Sequence, residues 1–246
     1  MVLHTMNDEE KAYEAFRITD YLCNCMDNVT SKVIGKFKKG TKFPYVQRII
    51  VKDDKYNEWN CVFIVLSKEA KKKGLMFTSA YTVYEVPRKY KEEDLNAGKG
   101  CIMFDPYDMR ARLRKEFGRT TAVIYDIVPH AFNRYTERYL KPLGKENIEF
   151  GYKVESMLKR WLWFDISADI YGDKNAKKHS NDDCICPYDV FMRKGGMLRG
   201  QIINELLIRI NTYITEDMMF DNQLERQKEM QSEYFRFKTK KLLCIQ

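Results

Sequence analysis

Histidine is scarce in this sequence of 246 residues, and one of its three histidines lies where it could take part in acid–base chemistry. His4 is close to the start, and His179 lies in the polar stretch KNAKKHSNDD. His130 lies in PHAFNRYTERYL, where apolar residues recur at helical spacing. Because an imidazole titrates near neutral pH, it can accept or donate a proton at a reacting group. His130 is therefore the candidate acid or base.

The residues after His130 place further charged groups on the same side of the predicted helix. At about 100° per residue, His130 shares one narrow sector with Arg134, Glu137 and Arg138. The adjacent sector, expected to face the core, carries Ala131, Phe132, Tyr135 and Tyr139. The helix is thus predicted to bury one stripe and to present an imidazole, two guanidiniums and a carboxylate on the other.

Two interpretations of this polar stripe are open. Cleavage of RNA without a metal ion moves a proton off a 2′-hydroxyl, adds one to the leaving 5′-oxygen and stabilises a phosphorane. His130 would act as acid or base, Arg134 and Arg138 would hold the phosphate, and Glu137 would orient an arginine or assist as a base. The alternative is an ordinary exposed face on which Glu137 pairs with Arg134 or Lys141, each pair contributing roughly a few tenths of a kcal/mol.

The pattern His-Ala-x-x-Arg-x-x-Glu-Arg over residues 130–138 resembles the HAxxRxxER helix of small toxin-type RNases. These belong to the barnase–RelE–colicin group, which includes the BrnT-like toxins. There the helix precedes an antiparallel meander that completes the cleft, and here a predicted meander ending in INTYIT follows. The resemblance implies Thr212, on the last strand, as a further residue on the phosphate side. Strict alternation places Thr212 on the more apolar face with Ile208, Ile210 and Ile214, and places Arg209, Asn211 and Tyr213 on the other.

The charge distribution is compatible with a nucleic-acid partner. The chain has 43 Lys and Arg against 35 Asp and Glu, a net charge of +8. Between residues 32 and 48 there are six basic residues and no acidic one. These candidate nucleic-acid-binding residues are Lys32, Lys36, Lys38, Lys39, Lys42 and Arg48. The alternative is a solvated lysine-rich surface of the kind many proteins carry.

Composition and cysteine usage favour an intracellular, cytoplasmic protein. No apolar run approaches the roughly 20 residues of a membrane span, and the N-terminus lacks the basic and apolar regions of a signal peptide. Seven cysteines, an odd number, favour free thiols over a disulfide framework. Cys184-x-Cys186 near His179 is only a weak zinc candidate, because no second cysteine pair follows at the usual spacing. We predict no metal site and no cofactor.

The periodicities predict an α+β fold in which N- and C-terminal helices surround antiparallel sheet. Helices are predicted over 8–38, with a possible break near Asn28, and over 109–117, 129–140, 149–171 (a buried helix) and 216–236 (capped by Thr215). Strands are predicted over 45–51, 59–67, 75–86, 99–104 and 120–127, followed by a meander over 188–214. The second and third strands form a hairpin whose turn is Lys71–Gly74.

A chain of this length forms one large domain or two small ones. Residues 1–119 would hold the first helix, antiparallel strands and a possible binding region, and residues 120–246 the polar-stripe helix, buried helix, meander and final helix. One continuous domain fits equally well. The predicted function is a metal-independent endoribonuclease, or a diverged relative, with RNA and a protein partner (an antitoxin or an assembly partner) and no membrane partner. The alternative is a non-catalytic nucleic-acid-binding, accessory or structural protein of a phage or mobile element.

Overall fold

A computed structural model of the chain describes residues 2–35, 41–65, 76–88, 96–115, 122–161, 186–193 and 195–240. These residues form five α-helices and eight strands, which confirms the predicted α+β class. The chain divides into two compact units, unit 1 with residues 1–85 and 101–125, and unit 2 with residues 86–100 and 126–246. The domain division at residue 119 that the sequence predicts, with one continuous domain as its alternative, stays a prediction. Within the described ranges, no helix combines the length and apolar character needed to cross a membrane.

Unit 1 is built on antiparallel strands. Strands β1 (Tyr45–Lys52), β2 (Glu58–Val65), β3 (Phe77–Val86) and β4 (Gly98–Phe104) lie side by side in that order. The last residue of β3 and the first three of β4 belong to unit 2. β1 pairs antiparallel with β2, and β2 with β3, where Trp59 lies opposite Thr82. The predicted pairing of β2 with β3 is confirmed, and its predicted turn at Lys71–Gly74 lies outside the described residues.

Helix α1, Asp8–Gly35, is continuous, so the predicted break near Asn28 is wrong. Its first turn is acidic, which suits the positive end of the helix dipole. Leu22, Cys23 and Met26 belong to its fully buried stripe. Asn28 lies on the exposed side, where its low helix propensity costs well under about 1 kcal/mol. Burial of the stripe therefore outweighs the one unfavourable residue.

Helix α2, Pro106–Leu113, begins three residues before the predicted 109–117 because Asp105 caps it. The Asp105 carboxylate accepts hydrogen bonds from the backbone N of Tyr107 at 2.8 Å and of Asp108 at 3.3 Å. The Thr78 hydroxyl donates to its other oxygen at 2.8 Å. The helix also ends earlier than predicted, because Lys115 adopts a left-handed conformation with a φ of 54°.

Asp105→Ala is expected to lower the free energy of unfolding by about 1 kcal/mol, because two N–H groups of the first turn lose their acceptor. Burial, followed by the nearby Asp108, raises the pKa of Asp105 to about 6. This exceeds the roughly 3.9 of an unfolded chain, so the carboxyl stabilises fully below about pH 4 and progressively less as pH rises through 6. Asp105→Asn, the matched control, should lose less and lack this pH dependence. Urea denaturation across pH measures both, and equal losses would contradict the cap.

Unit 2 contains the polar stripe and the meander. The last two residues of β5 (Ile124–Ile127) lead into α3 (Pro129–Tyr135), a π-helical turn (Thr136–Leu140), a 3-10 turn (Lys141–Leu143) and α4 (Phe150–Arg160). Then follow β6 (Cys186–Phe191), β7 (Met197–Ile202), β8 (Leu207–Ile214), a 3-10 turn (Glu216–Met218) and α5 (Asp221–Lys240). β6 pairs with β7 and β7 with β8, both antiparallel, so the predicted meander is confirmed.

Two predicted helix boundaries in unit 2 are wrong. α4 ends at Arg160 rather than continuing to 171, because Trp161 is extended, with a ψ of 130°, and bridges Met192. Residues 162–171 lie outside the described residues. The final helix begins at Asp221 rather than 216, because Met219 is extended and separates it from the preceding 3-10 turn. Thr215 makes no side-chain cap.

A β-bulge between β7 and β8 changes which residues share a face. Arg199 lies opposite Thr212 and Gly200 opposite Ile210, so Asn211 has no opposite residue. Since paired residues point to the same face, Thr212 shares its face with Arg209, while Tyr213 shares the other with Ile210. The predicted strict alternation along β8, which placed Thr212 with Ile210, is therefore wrong. A bulge adds one residue and reverses the sense of alternation beyond it.

Candidate functional site

The polar stripe lies on a continuous helical segment, Pro129–Leu143, hereafter the motif helix. It is not the regular α-helix ending at Leu140 that the sequence predicts, because α3 passes into the π-helical turn and then the 3-10 turn. The backbone N of Lys141 donates to the carbonyl of Thr136, an i+5 bond that widens this turn. π-helical turns are rare in proteins, and those that do occur are often found at functional sites.

Apolar contacts fix the buried side of the motif helix. Pro129 occupies its first turn, where proline is favoured because its missing N–H needs no helical partner. Ala131, Phe132 and Tyr135 are buried, as the sequence predicts. The Phe132 ring lies 4.6 Å from that of Phe150, centroid to centroid. The polar stripe is thereby left on the other side of the helix.

Two members of the stripe form an ion pair. Arg134 Nη1 lies 2.7 Å from Glu137 Oε2. The hydrogen bond from Arg134, opposed in part by desolvation, lowers the pKa of the exposed Glu137 carboxylate. The sequence allowed Glu137 to pair with either Arg134 or Lys141, and the structure shows the pair with Arg134. An approaching anion would compete with Glu137 for the Arg134 guanidinium.

Arg138 anchors the π-helical turn to β8. Its Nη1 donates to the backbone carbonyl of Tyr213 at 2.7 Å. Just after the end of β5, the backbone N of Val128 donates a hydrogen bond to the carbonyl of Ile210 in β8 at 3.1 Å. The Tyr213 carbonyl lies further along β8, beyond the end of β5. Arg138 therefore supplies the hydrogen-bond donor for this carbonyl.

His130 is half-buried, and the charges of Arg134, Glu137 and Arg138 act on it electrostatically. Desolvation by burial, followed by the positive charges of Arg134 and Arg138, lowers its pKa, and the negative charge of Glu137 opposes the shift. The structure therefore brings four of the five predicted catalytic residues into one electrostatic cluster. This lowered pKa favours the neutral imidazole, which is the form that can accept a proton.

Thr212 is the predicted site residue that the structure does not bring to this cluster. Tyr213 packs edge-on against Tyr135 of the motif helix, with ring centroids 5.2 Å apart. Since the bulge places Thr212 on the opposite face of β8, beside Arg199, its side chain points away from the motif helix.

Arg160 and Tyr213 are two residues beside the motif helix that the sequence analysis did not single out. Arg160 is only 5% exposed, and its guanidinium lies 3.5 Å from the ring centroid of Tyr139. The Tyr213 hydroxyl donates to the carbonyl of Gly195 at 3.0 Å. The sequence pattern does not mark Arg160 as a buried residue, because nothing in the periodicity of this helix predicts that a charged side chain is buried.

The candidate nucleic-acid-binding residues lie in unit 1 and are described only in part. Lys36, Lys38 and Lys39 fall outside the described residues, as does the side chain of Lys32 at the end of α1. Lys42 is exposed. Arg48 Nη1 lies 3.3 Å from Asn60 Oδ1 and 3.4 Å from the Tyr81 hydroxyl, so its guanidinium bonds within the sheet.

The four cysteines whose side chains the structure describes, at positions 23, 25, 61 and 101, are free thiols, as predicted. Within the residues that the structure describes, no group of three or more His, Cys, Asp or Glu side chains could hold a metal ion. The weak zinc candidate cannot be placed, because His179 and Cys184 lie outside them.

Comparisons with models of protein families, with curated proteins and with solved structures find no match to this chain. The resemblance of residues 130–138 to the toxin-type RNase helix stays a prediction from those nine residues.

The effect of the neighbouring charges of the polar stripe should be measurable as a change in the pKa of His130. Arg134→Gln is expected to raise the pKa of His130, and Glu137→Gln to lower it, because each removes a charge that acts on the imidazole. NMR titration of the His130 ring measures this. Arg226→Gln is the matched control, because Arg226 forms the same i,i+3 pair with Glu229, at 3.2 Å, on α5. An unchanged His130 pKa in Arg134→Gln would contradict the cluster.

Proposed function

We propose that this protein is a metal-independent endoribonuclease whose active site is the polar stripe of the motif helix. The observation that supports this most is His130, a half-buried histidine with a lowered pKa beside two guanidiniums and a carboxylate. A neutral imidazole next to paired guanidiniums combines a base with a phosphate-binding surface.

The proposed step is a transesterification. His130 accepts the proton of a ribose 2′-hydroxyl, the 2′-oxygen bonds to the adjacent phosphorus, and the bond from phosphorus to the 5′-oxygen breaks. The leaving 5′-oxygen takes a proton from solvent, and the imidazolium returns its proton to solvent. The products are a 2′,3′-cyclic phosphate and a 5′-hydroxyl.

The arginines stabilise the negative charge of the phosphorane. Before substrate binds, the ion pair with the Glu137 carboxylate keeps Arg134 oriented. When substrate binds, Arg134 exchanges this carboxylate for a phosphate oxygen. Arg138, anchored at Nη1 by the Tyr213 carbonyl, places a second positive charge at a fixed position. Glu137 orients Arg134, and Thr212 has no step in this mechanism.

A second candidate function is binding of RNA phosphates without cleavage. It is favoured by the internal bonds of both arginines, Arg134 to Glu137 and Arg138 to the Tyr213 carbonyl. Phosphate binding requires only that these two guanidiniums be held in place, and it requires no proton transfer. A protein partner, such as an antitoxin, would then compete with RNA for the same stripe.

The test is incubation of the wild-type protein with a mixed-sequence labelled RNA in EDTA. The proposal expects fragments ending in a 2′,3′-cyclic phosphate, identified by mass spectrometry. RNA binding without fragments would favour the second candidate, and neither binding nor cleavage would contradict both.

A further inference from the structure

A buried arginine joins the motif helix to the meander of unit 2. The guanidinium of Arg160 lies 3.5 Å from the Tyr139 ring centroid, 5.6 Å from that of Tyr135 and 5.7 Å from that of Tyr213. Its Nη2 donates to the carbonyl of Gly195 and to the Tyr213 hydroxyl, the latter at 3.3 Å. Aromatic faces and oxygen acceptors together offset part of the cost of removing this charge from water.

Two of these tyrosines flank Arg138 in the structure of the site. Tyr139 follows Arg138 directly within the π-helical turn. Tyr213 supplies the carbonyl that accepts the Arg138 hydrogen bond at 2.7 Å. Arg160 therefore contacts the residue next to Arg138 in the motif helix, Tyr139, and the residue whose carbonyl accepts the Arg138 hydrogen bond, Tyr213.

We infer that Arg160 is a positioning residue, which holds Arg138 at the Tyr213 carbonyl through Tyr139 and Tyr213 and so fixes the position of the Arg138 guanidinium relative to His130. Only a planar guanidinium can lie on the Tyr139 ring and donate to Gly195 and Tyr213 at once. An apolar side chain would fill the volume without joining the two elements. The effect on cleavage rests on the proposed function, whereas the effect on Arg138 does not.

Arg160→Lys tests this inference, because it keeps the charge and loses the planar fork. The readouts are the NMR titration of His130 and the exchange of the Arg138 guanidinium nitrogens, neither of which needs RNA. The His130 pKa is expected to rise when Arg138 leaves the carbonyl, and rotation of the Arg138 guanidinium is expected to become faster. Val154→Ala, which removes fully buried methyl groups from the same helix, is the control for reduced stability and should change neither.

A double-mutant cycle shows whether Arg160 acts through Arg138. Arg160→Lys should shift the His130 pKa in the wild type but not in an Arg138→Gln background. No shift in the wild type, or equal shifts in both backgrounds, would overturn the inference. If Arg160→Lys does not fold, Tyr139→Leu replaces it, because this change removes the half-buried ring on which the guanidinium lies. Absence of RNA cleavage by the wild type would contradict the proposed function alone.

Discussion

Replacement of His130 by alanine is expected to slow RNA cleavage by about 10²–10⁴-fold, the usual contribution of a general base. Affinity for RNA should change little, because the two guanidiniums and not the imidazole bind the phosphate. Cleavage is measured with labelled RNA in EDTA, and affinity with a 2′-O-methyl RNA that cannot be cut. The cleavage rate of the wild type should rise with pH through a midpoint below the ordinary histidine pKa of about 6.5, because burial and the arginines lower the pKa of His130.

The control for this prediction is His4→Ala, since His4 is an exposed histidine in unit 1. It should cleave as the wild type does. Cleavage that survives in His130→Ala would place the base elsewhere and contradict the proposed site. If the wild type binds RNA without cutting it, Arg134→Gln should weaken binding to all sequences. The slope of log K against log salt concentration should then become shallower by roughly 0.7 for each phosphate of single-stranded RNA that the variant no longer neutralises.

Gly196→Ala is expected to lower the free energy of unfolding by about 3 kcal/mol, from left-handed backbone strain and overpacking together. Gly196 lies between β6 and β7 with a φ of +80°. A Cβ there would overlap the carbonyl of Ile214 and lie 2.6 Å from the Tyr213 hydroxyl. The backbone of β8 cannot move away without breaking its pairing with β7. Chemical denaturation of the purified variant measures the decrease.

Gly144→Ala separates the two causes. Gly144 also lies in unit 2 and has a φ of +64°, but a Cβ there would have nothing within 4 Å. It should lose only about 1 kcal/mol, the cost of the left-handed conformation alone. Equal decreases in the two variants would show that the close approach to β8 costs nothing, and would contradict overpacking as a cause.

Element types followed from local pattern because periodicity of apolar residues reflects which face is buried. The meander, the β2–β3 pairing and α1 were predictable in this way. Boundaries were less accurate, because they depend on individual backbone conformations. Asp105 could have been recognised as a cap from Asp105-Pro106, a pair typical of helix starts. The extended conformations of Trp161 and Met219 have no comparable local signal.

The polar stripe was a property of the sequence itself, since helical spacing alone places His130, Arg134, Glu137 and Arg138 together. Which partner each arginine takes was decided by the tertiary structure, because the Tyr213 carbonyl reaches Arg138 only when β8 packs beside the motif helix. The position of Thr212 depended on a bulge created by pairing with β7, which no pattern within β8 reveals. The burial of Arg160 was likewise a tertiary outcome. Its favourable partners lie on three separate segments, and long-range packing is what brings those segments together.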